Sequence, residues 1–249
     1  MKTNYLLPAL SLLVVIAGCT NPADSVPTAT TGEAVATAEG TGTGAAAAEG
    51  TGTGAEAADG TGTGAAAAEG TGADEGSAPA DVGPRFTING TGSTIGFVGS
   101  KVTGSHEGGF REFDGTIIVP DRDILRGSVD VMIQMSSIFA DNPRLQGHLQ
   151  TDDFFSVATY PTARFTSTSV VAGGATGATH TVTGNLEMRG DTRSITFPAT
   201  ITVTDTTATV AAEFSINRQE WGISYAGQAD DLIRDEVVLK LNVTGTIVE

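Results

Sequence analysis

From Thr94 to the end of the chain, apolar and polar side chains alternate in short runs, the pattern of strands that bury one face. Arg126 to Ser136 shows it most clearly: Val129, Val131, Ile133 and Met135 fall on one side, and Asp130, Met132, Gln134 and Ser136 on the other. Thr209 to Asn217 places Val210, Ala212, Phe214 and Ile216 on one face, and Val237 to Val248 does the same with Leu239, Leu241, Val243, Gly245 and Ile247. Thr94 to Val98, Ala163 to Val171, Thr181 to Met188 and Ser194 to Val203 alternate in the same way. One stretch breaks the pattern. Between Asp141 and Asp152, Asn142 can serve as N-cap, Pro143 takes the first helical position, and Leu145, His148 and Leu149 share a face, so a short helix weakened by Gly147 is expected. Seven or more strands with one helix make an all-β domain, a sandwich or a closed barrel, and periodicity does not choose between them.

The first third of the chain has no such alternation. From Ala38 a ten-residue unit recurs as AEGTGTGAAA, AEGTGTGAEA, ADGTGTGAAA and AEGTGADEGS. A solenoid would need these units to stack, but they hold no Leu, Ile, Val or aromatic residue, so stacking would bury almost nothing against the entropy of ordering their glycines. Residues 19–84 are therefore expected to form a disordered Gly/Ala/Thr/Glu-rich linker, and residues 85–249 a single domain. A Gly-rich coil of that length spans roughly 40–50 Å, which would let the domain roam.

Residues 1–18 read as a signal peptide: Lys2 supplies the charge, Tyr5 to Ile16 the apolar run, and small residues precede Cys19. The run is too short for a membrane-spanning helix. Ile16 to Cys19, IAGC, resembles the bacterial lipobox, which implies cleavage before Cys19 and its acylation, with a membrane as the first partner. Two or three acyl chains anchor stably where one does not. Thr20 stands where lipoproteins retained at the inner membrane often carry Asp, which favours an outer-membrane anchor with the domain in the periplasm or at the surface. Because Cys19 is the single cysteine, no internal disulfide forms.

Charge and chemistry narrow the function. Thirteen basic residues against 29 acidic give a formal charge of -16, which excludes the clustered cations that nucleic acid requires. Residues 85–249 alone carry 12 basic and 19 acidic side chains, as befits a soluble acidic domain. His106, His148 and His180 lie in separate segments without metal-ligand spacing, and read as hydrogen-bonding or surface residues. No nucleophile elbow, phosphate loop or dinucleotide turn occurs in the domain. Asp152 and Asp153 form a possible acid/base pair but fit better in the turn that leaves the helix. Of Phe154 and Phe155, an extended backbone would let only one face the interior. Asn217 and Arg218 read as a polar pair fixing a turn, and the cluster Asp230 to Glu236 as a solvated loop with local ion pairs.

Several motifs carry a family resemblance. VGSKVTGSHEGGFREFDG from Val98, LQGHLQTDDFFSVATYPTARFTSTSV from Leu145, TVTGNLEMRGDTRSITFPATI from Thr181, INRQEWGI from Ile216 and DDLIRDEVVLKLNV near the end occur in order. The domain resembles the YceI-like family of polyisoprenoid-binding, lipocalin-like bacterial envelope proteins. One departure is visible: Gly92 and Ser93 stand where many members have a His-Ser pair. The resemblance implies an eight-stranded antiparallel lipocalin-like barrel with one short helix, enclosing a tunnel for an isoprenoid, quinone-like or fatty chain. The expected lining is Ile95, Phe97, Phe110, Phe113, Val131, Ile133, Met135, Phe155, Phe165, Leu186, Phe214, Ile216 and Trp221. No catalytic group, metal or cofactor beyond the lipid is expected. The family often pairs its subunits, though nothing in this sequence marks a homodimer interface. Two other readings stand beside that of a lipid carrier, store or sensor: a ligand-free interaction module on a stalk, and an enzyme acting on a lipid tail through Asp152 and His148.

Overall fold

The structure is a computed structural model that describes residues 21–36 and 83–248. The proposed signal peptide and the decapeptide repeat lie outside them. In chain order the strands are β1 (Thr30–Glu33), β2 (Arg85–Asn89), β3 (Thr94–Lys101), β4 (Gly104–Phe110), β5 (Phe113–Ile118), β6 (Ser128–Gln134), β7 (Ile138–Ala140), β8 (Thr162–Ala172), β9 (His180–Met188), β10 (Asp191–Val203), β11 (Thr207–Asn217), β12 (Gly227–Gln228) and β13 (Asp231–Ile247). The helix α1 (Pro143–Leu149) lies between β7 and β8.

Neighbouring strands pair antiparallel around a closed ring: β2, β5, β6, β8, β9, β10, β11, β13 and back to β2. Closure leaves the ring no free edge to template unwanted pairing. β3, β4 and β7 prolong three of its staves past bends, so β2–β3, β4–β5 and β6–β7 each run as one kinked strand. Gly92, at φ 77°, supplies the left-handed residue at the first bend. Next to it Ser93 ties the kink to β13, its amide-accepting Oγ 3.0 Å from Thr244 N. The result is an up-and-down barrel of eight staves. One end, called here the helix end, carries α1, the β3–β4 turn and the start of β13; the opposite end carries the β5–β6 connection and the β10–β11 turn.

Alternation sets which side chains point inward. Val131 lies opposite Phe165 and Ile133 opposite Ala163, all toward the interior, while Met132 is exposed and Asp130 faces outward to Arg164. The helix also forms where expected: Asn142 Oδ1 accepts from the amides of Arg144 at 2.9 Å and Leu145 at 3.3 Å, and Pro143 opens the first turn.

Two in-strand glycines make room for aromatic rings. A Cβ on Gly184 would meet Phe165 Cζ at 2.4 Å, and one on Gly108 would meet Phe97 Cζ at 2.4 Å. Each ring thus takes the space that a side chain at its glycine would need. Gly184→Ala is expected to crowd both the Phe165 ring and the Thr166 carbonyl, costing roughly 1–3 kcal/mol by overpacking, read as a lower urea midpoint with an unchanged slope.

The structure corrects the linker boundary. Residues 21–36, assigned to a disordered linker with the rest of 19–84, pack on the barrel wall. The cause is a seam. β10 and β11 pair only from Thr200 to Val203 against Ala211 to Ala208, then diverge and leave backbone groups that need partners. The N-terminal segment fills the gap: Ala29 N donates to Ser215 O at 2.8 Å, Ser215 N to Pro27 O at 2.9 Å, and β1 pairs antiparallel with Arg193 to Thr196 of β10. Ala29 is buried in the cluster that includes Phe214, Ile216 and Trp221. Further back, Ala23 packs on Val98 and Val238, and Asn21 Oδ1 accepts from Ser100 Oγ at 3.1 Å. Val35 is held at both backbone groups by the Asn185 amide, at 2.9 and 2.6 Å. After the repeat the chain is fixed again at the opposite end, where Val119 N donates to Pro84 O at 3.1 Å.

Candidate functional site

The barrel encloses an apolar cavity of about 350 Å³ that runs from Ile124 near the opposite end to α1 at the helix end. Every stave contributes to it. The inward positions of β6 line it as expected, with Val129, Val131, Ile133 and, just past the strand, Met135. Ile95, Phe97, Phe110, Phe155, Phe165, Leu186, Phe214 and Ile216 also line it. Lining residues that the sequence reading left out include Phe197, whose ring stacks on Phe214 at 4.2 Å between centroids, together with Val182, Ile195, Leu239 and Leu241. The same alternation marks all of these as inward-facing in β9, β10 and β13.

Two expected lining residues do not reach the cavity. Phe113 packs in the buried cluster with Phe86, Ile88 and Ile117. Trp221 is fully buried in the 3-10 turn Arg218–Trp221, its indole N–H donating to Leu186 O at 3.1 Å. A turn residue has no strand period, so its direction was not set by alternation. The opposite correction applies to Phe154 and Phe155. Both line the cavity, because the segment after α1 is a turn and not extended chain. Ser156 there has φ 47°, and its hydroxyl donates to Asp152 Oδ1 at 2.6 Å.

Charge is confined to the helix end. Lys101, His106 and Arg218 are the lining residues with ionisable groups. Arg218 is almost wholly buried yet engaged at all three nitrogens, donating from Nε to Arg234 O at 3.1 Å, from Nη1 to Ile223 O at 2.6 Å and from Nη2 to Asp235 Oδ1 at 3.1 Å. Burial lowers its pKa and the Asp235 carboxylate opposes the fall. With Asn217 Oδ1 accepting from Gln219 N at 2.9 Å, this is the turn-fixing pair expected from INRQEWGI. The cluster from Asp230 is not a solvated loop throughout, because β13 begins at Asp231. His106 Nδ1 lies 2.8 Å from Asp141 Oδ1, and the Glu107 amide donates to the other oxygen at 3.1 Å. That amide, then His106, holds the Asp141 carboxyl below its ordinary value despite some opposing desolvation.

Asp231 clamps the β3–β4 turn. It pairs with Lys101 and accepts from Thr103 N at 3.1 Å and Thr103 Oγ1 at 2.9 Å. Hydrogen bonding from Lys101 depresses its pKa below 3.8. A depressed carboxylate stabilises the fold above its ordinary value, and that contribution is lost as pH falls through the lowered one. The Thr103 amide resonance is therefore expected to titrate with a midpoint below 3.8, and Lys101→Met to raise that midpoint.

The remaining histidines have structural partners. His148 Nε2 sits 2.8 Å from Asp153 Oδ2, with its ring edge-on to Phe154 and Tyr225. His180 Nδ1 lies 2.7 Å from Thr179 Oγ1. The pair invoked for an enzyme is not brought together: His148 bonds Asp153, Asp152 bonds Ser156, and neither His148 nor Asp152 lines the cavity.

Residues 86–245 match the family described as the YceI-like domain. The chain belongs to that family. Among curated relatives, a UPF0312 protein of Shewanella denitrificans and protein YceI of Salmonella arizonae are each 35% identical over 92 residues, which is 37% of this chain and 47% of theirs. The match thus spans about half the length of those relatives. Among solved structures, Burkholderia cenocepacia BcnA superposes with a TM-score of 0.56 at 23% identity, covering 63% of this chain and 98% of its own. A polyisoprenoid-binding domain from Saccharophagus degradans gives 0.53 at 17% identity, covering 66% and 98%. At that identity the likeness concerns the fold. The superposition covers nearly the full length of both solved structures, while residues 21–36 lie before the matched family segment.

Proposed function

We propose that this protein binds an apolar, chain-like lipid of the isoprenoid, quinone-like or fatty class inside its barrel, and stores or carries it at the bacterial cell envelope. The cavity carries the argument. Native cores leave few voids larger than a water molecule; even an apolar cavity of roughly 150 Å³ stays dry and takes up small hydrocarbons. The present one, at about 350 Å³, falls in the range of known ligand sites, ~300–1,000 Å³. Apolar walls with charge at one end suit an amphipathic guest whose tail lies within and whose head reaches the helix end. The Saccharophagus degradans neighbour, described as a polyisoprenoid-binding domain, supports the ligand class. A ligand-free module would fill this space with its own side chains.

Solvent extraction of the purified protein followed by mass spectrometry tests the reading. One lipid species near one equivalent per chain is expected; no lipid, or a mixture that mirrors the bulk membrane, overturns it. Consumption of that lipid by the purified protein would favour an enzyme.

The lipobox resemblance adds an acyl anchor at Cys19. Cys19→Ser is expected to release the protein from membranes with fold and lipid content unchanged. Retention of that variant on membranes in high salt would remove the anchor from the proposal.

A further inference from the structure

Asn21, two residues after Cys19, is held near one end of the barrel. Asn21 is buried against the wall: its Oδ1 accepts from Ser100 Oγ at 3.1 Å and from Ala23 N at 3.3 Å, while Ala23 packs on Val98 and Val238. Only Thr20 separates it from Cys19, and two residues reach no more than about 7 Å. An acyl group on Cys19 would therefore enter a bilayer beside Ser100, close to the helix end of β3. The decapeptide repeat cannot act as a spacer between anchor and barrel, because it follows a segment already held in turn by Val98 and Val238, by Ser215, by β10 and by Asn185. The described chain is held to the barrel on both sides of residues 37–82, at Val35 and at Pro84.

The surface next to Ser100 has the chemistry of a shallow membrane contact. Val102, at the β3–β4 turn, is 51% exposed, and Leu232, at the start of β13, is 49% exposed. The two are adjacent, with Val102 N donating to Leu232 O at 3.1 Å. Exposed apolar side chains also occur toward the opposite end, at Leu125, Val171 and Val248. Exposure alone thus does not choose an end; the tie of Asn21 to Ser100 does. Asp230, Asp231 and Asp235 lie on the same edge and make a zwitterionic surface a better partner than an anionic one.

We propose that the barrel sits on the lipid surface by its helix end, with Val102 and Leu232 in the interface and the charged end of the cavity turned toward the bilayer. This rests on the acyl-anchor reading of Cys19. A lipid would then pass between membrane and cavity without crossing open solvent, and the protein would exchange with its own membrane in preference to a distant one.

The test uses the full-length acylated protein in phosphatidylcholine vesicles carrying a headgroup nitroxide quencher. Val102→Cys and Thr206→Cys each introduce one free thiol, at the helix end and at the opposite β10–β11 turn, for an environment-sensitive fluorophore. The label at position 102 is expected to shift to the blue and lose most of its emission to the quencher, while the label at 206 keeps its own. Equal quenching at the two positions, or stronger quenching at 206, in vesicles that float with the protein overturns the orientation and leaves the anchor standing. Failure of the unlabelled protein to float with vesicles removes the anchor, and the orientation with it.

Discussion

A chain lacking residues 21–36 is expected to lose thermal stability, whereas a chain lacking residues 38–77 is expected to keep it. Both deletions remove sequence without Leu, Ile or aromatic residues, but the first reopens the seam between β10 and β11. Ser215 then loses its bonds to Pro27 and Ala29, and the cluster around Phe214, Ile216 and Trp221 loses the cover of Ala29. Leaving even one or two buried polar groups without partners costs about 3 kcal/mol. For a domain of this size each kcal/mol lowers the midpoint by roughly 2–4 °C, so a fall of roughly 6–12 °C is expected by calorimetry. The repeat holds no Leu, Ile, Val or aromatic residue to pack, and its removal leaves both fastened ends intact. A midpoint unchanged by the first deletion would mean that the segment rests on the wall without stabilising it.

The contrast shows what kind of information the sequence holds. Strand direction was legible wherever a strand buries one face, since period two then assigns each side chain: Val131, Ile133, Phe214, Ile216 and Leu239 all point where alternation puts them. The short helix was legible from Asn142 and Pro143, because a cap is a local device. Residues 21–36 were not legible. Their attachment depends on backbone groups of β10 and β11 left unpaired by divergence of the sheet, a property of the assembled barrel that no side chain in the segment advertises. β1 buries no large apolar residue, and Ala29 beside it contributes only a methyl. Trp221 and the Phe154–Phe155 pair were misjudged for a related reason. They sit in turns, where the direction of a side chain follows from local φ values and tertiary bonds: the left-handed Gly222 after Trp221, and Ser156 after the two phenylalanines.

Ile133→Trp is expected to empty the barrel of lipid, while Gln134→Trp next to it leaves the lipid in place. The two positions adjoin on β6 but face opposite ways: Ile133 lines the cavity, and Gln134 does not. A one-residue change of register would exchange their roles, so the pair tests the direction of the whole strand. An indole at position 133 occupies space opposite Ala163 that the guest would otherwise fill, and costs roughly 1–3 kcal/mol by crowding the wall. At position 134 the added bulk can turn toward solvent, and a change within roughly 0.5 kcal/mol is expected. Extraction and mass spectrometry at matched folded fraction separate the outcomes. Lipid lost in Ile133→Trp alone places the guest against β6. Equal lipid in both variants would move the guest away from this wall, and destabilisation of Ile133→Trp with no lipid in the parent protein would make the cavity a void of the fold and not a site. Because the crowding cost is small beside the stability of a domain of this size, ~5–15 kcal/mol, the variant should remain folded, and loss of lipid can be read as displacement.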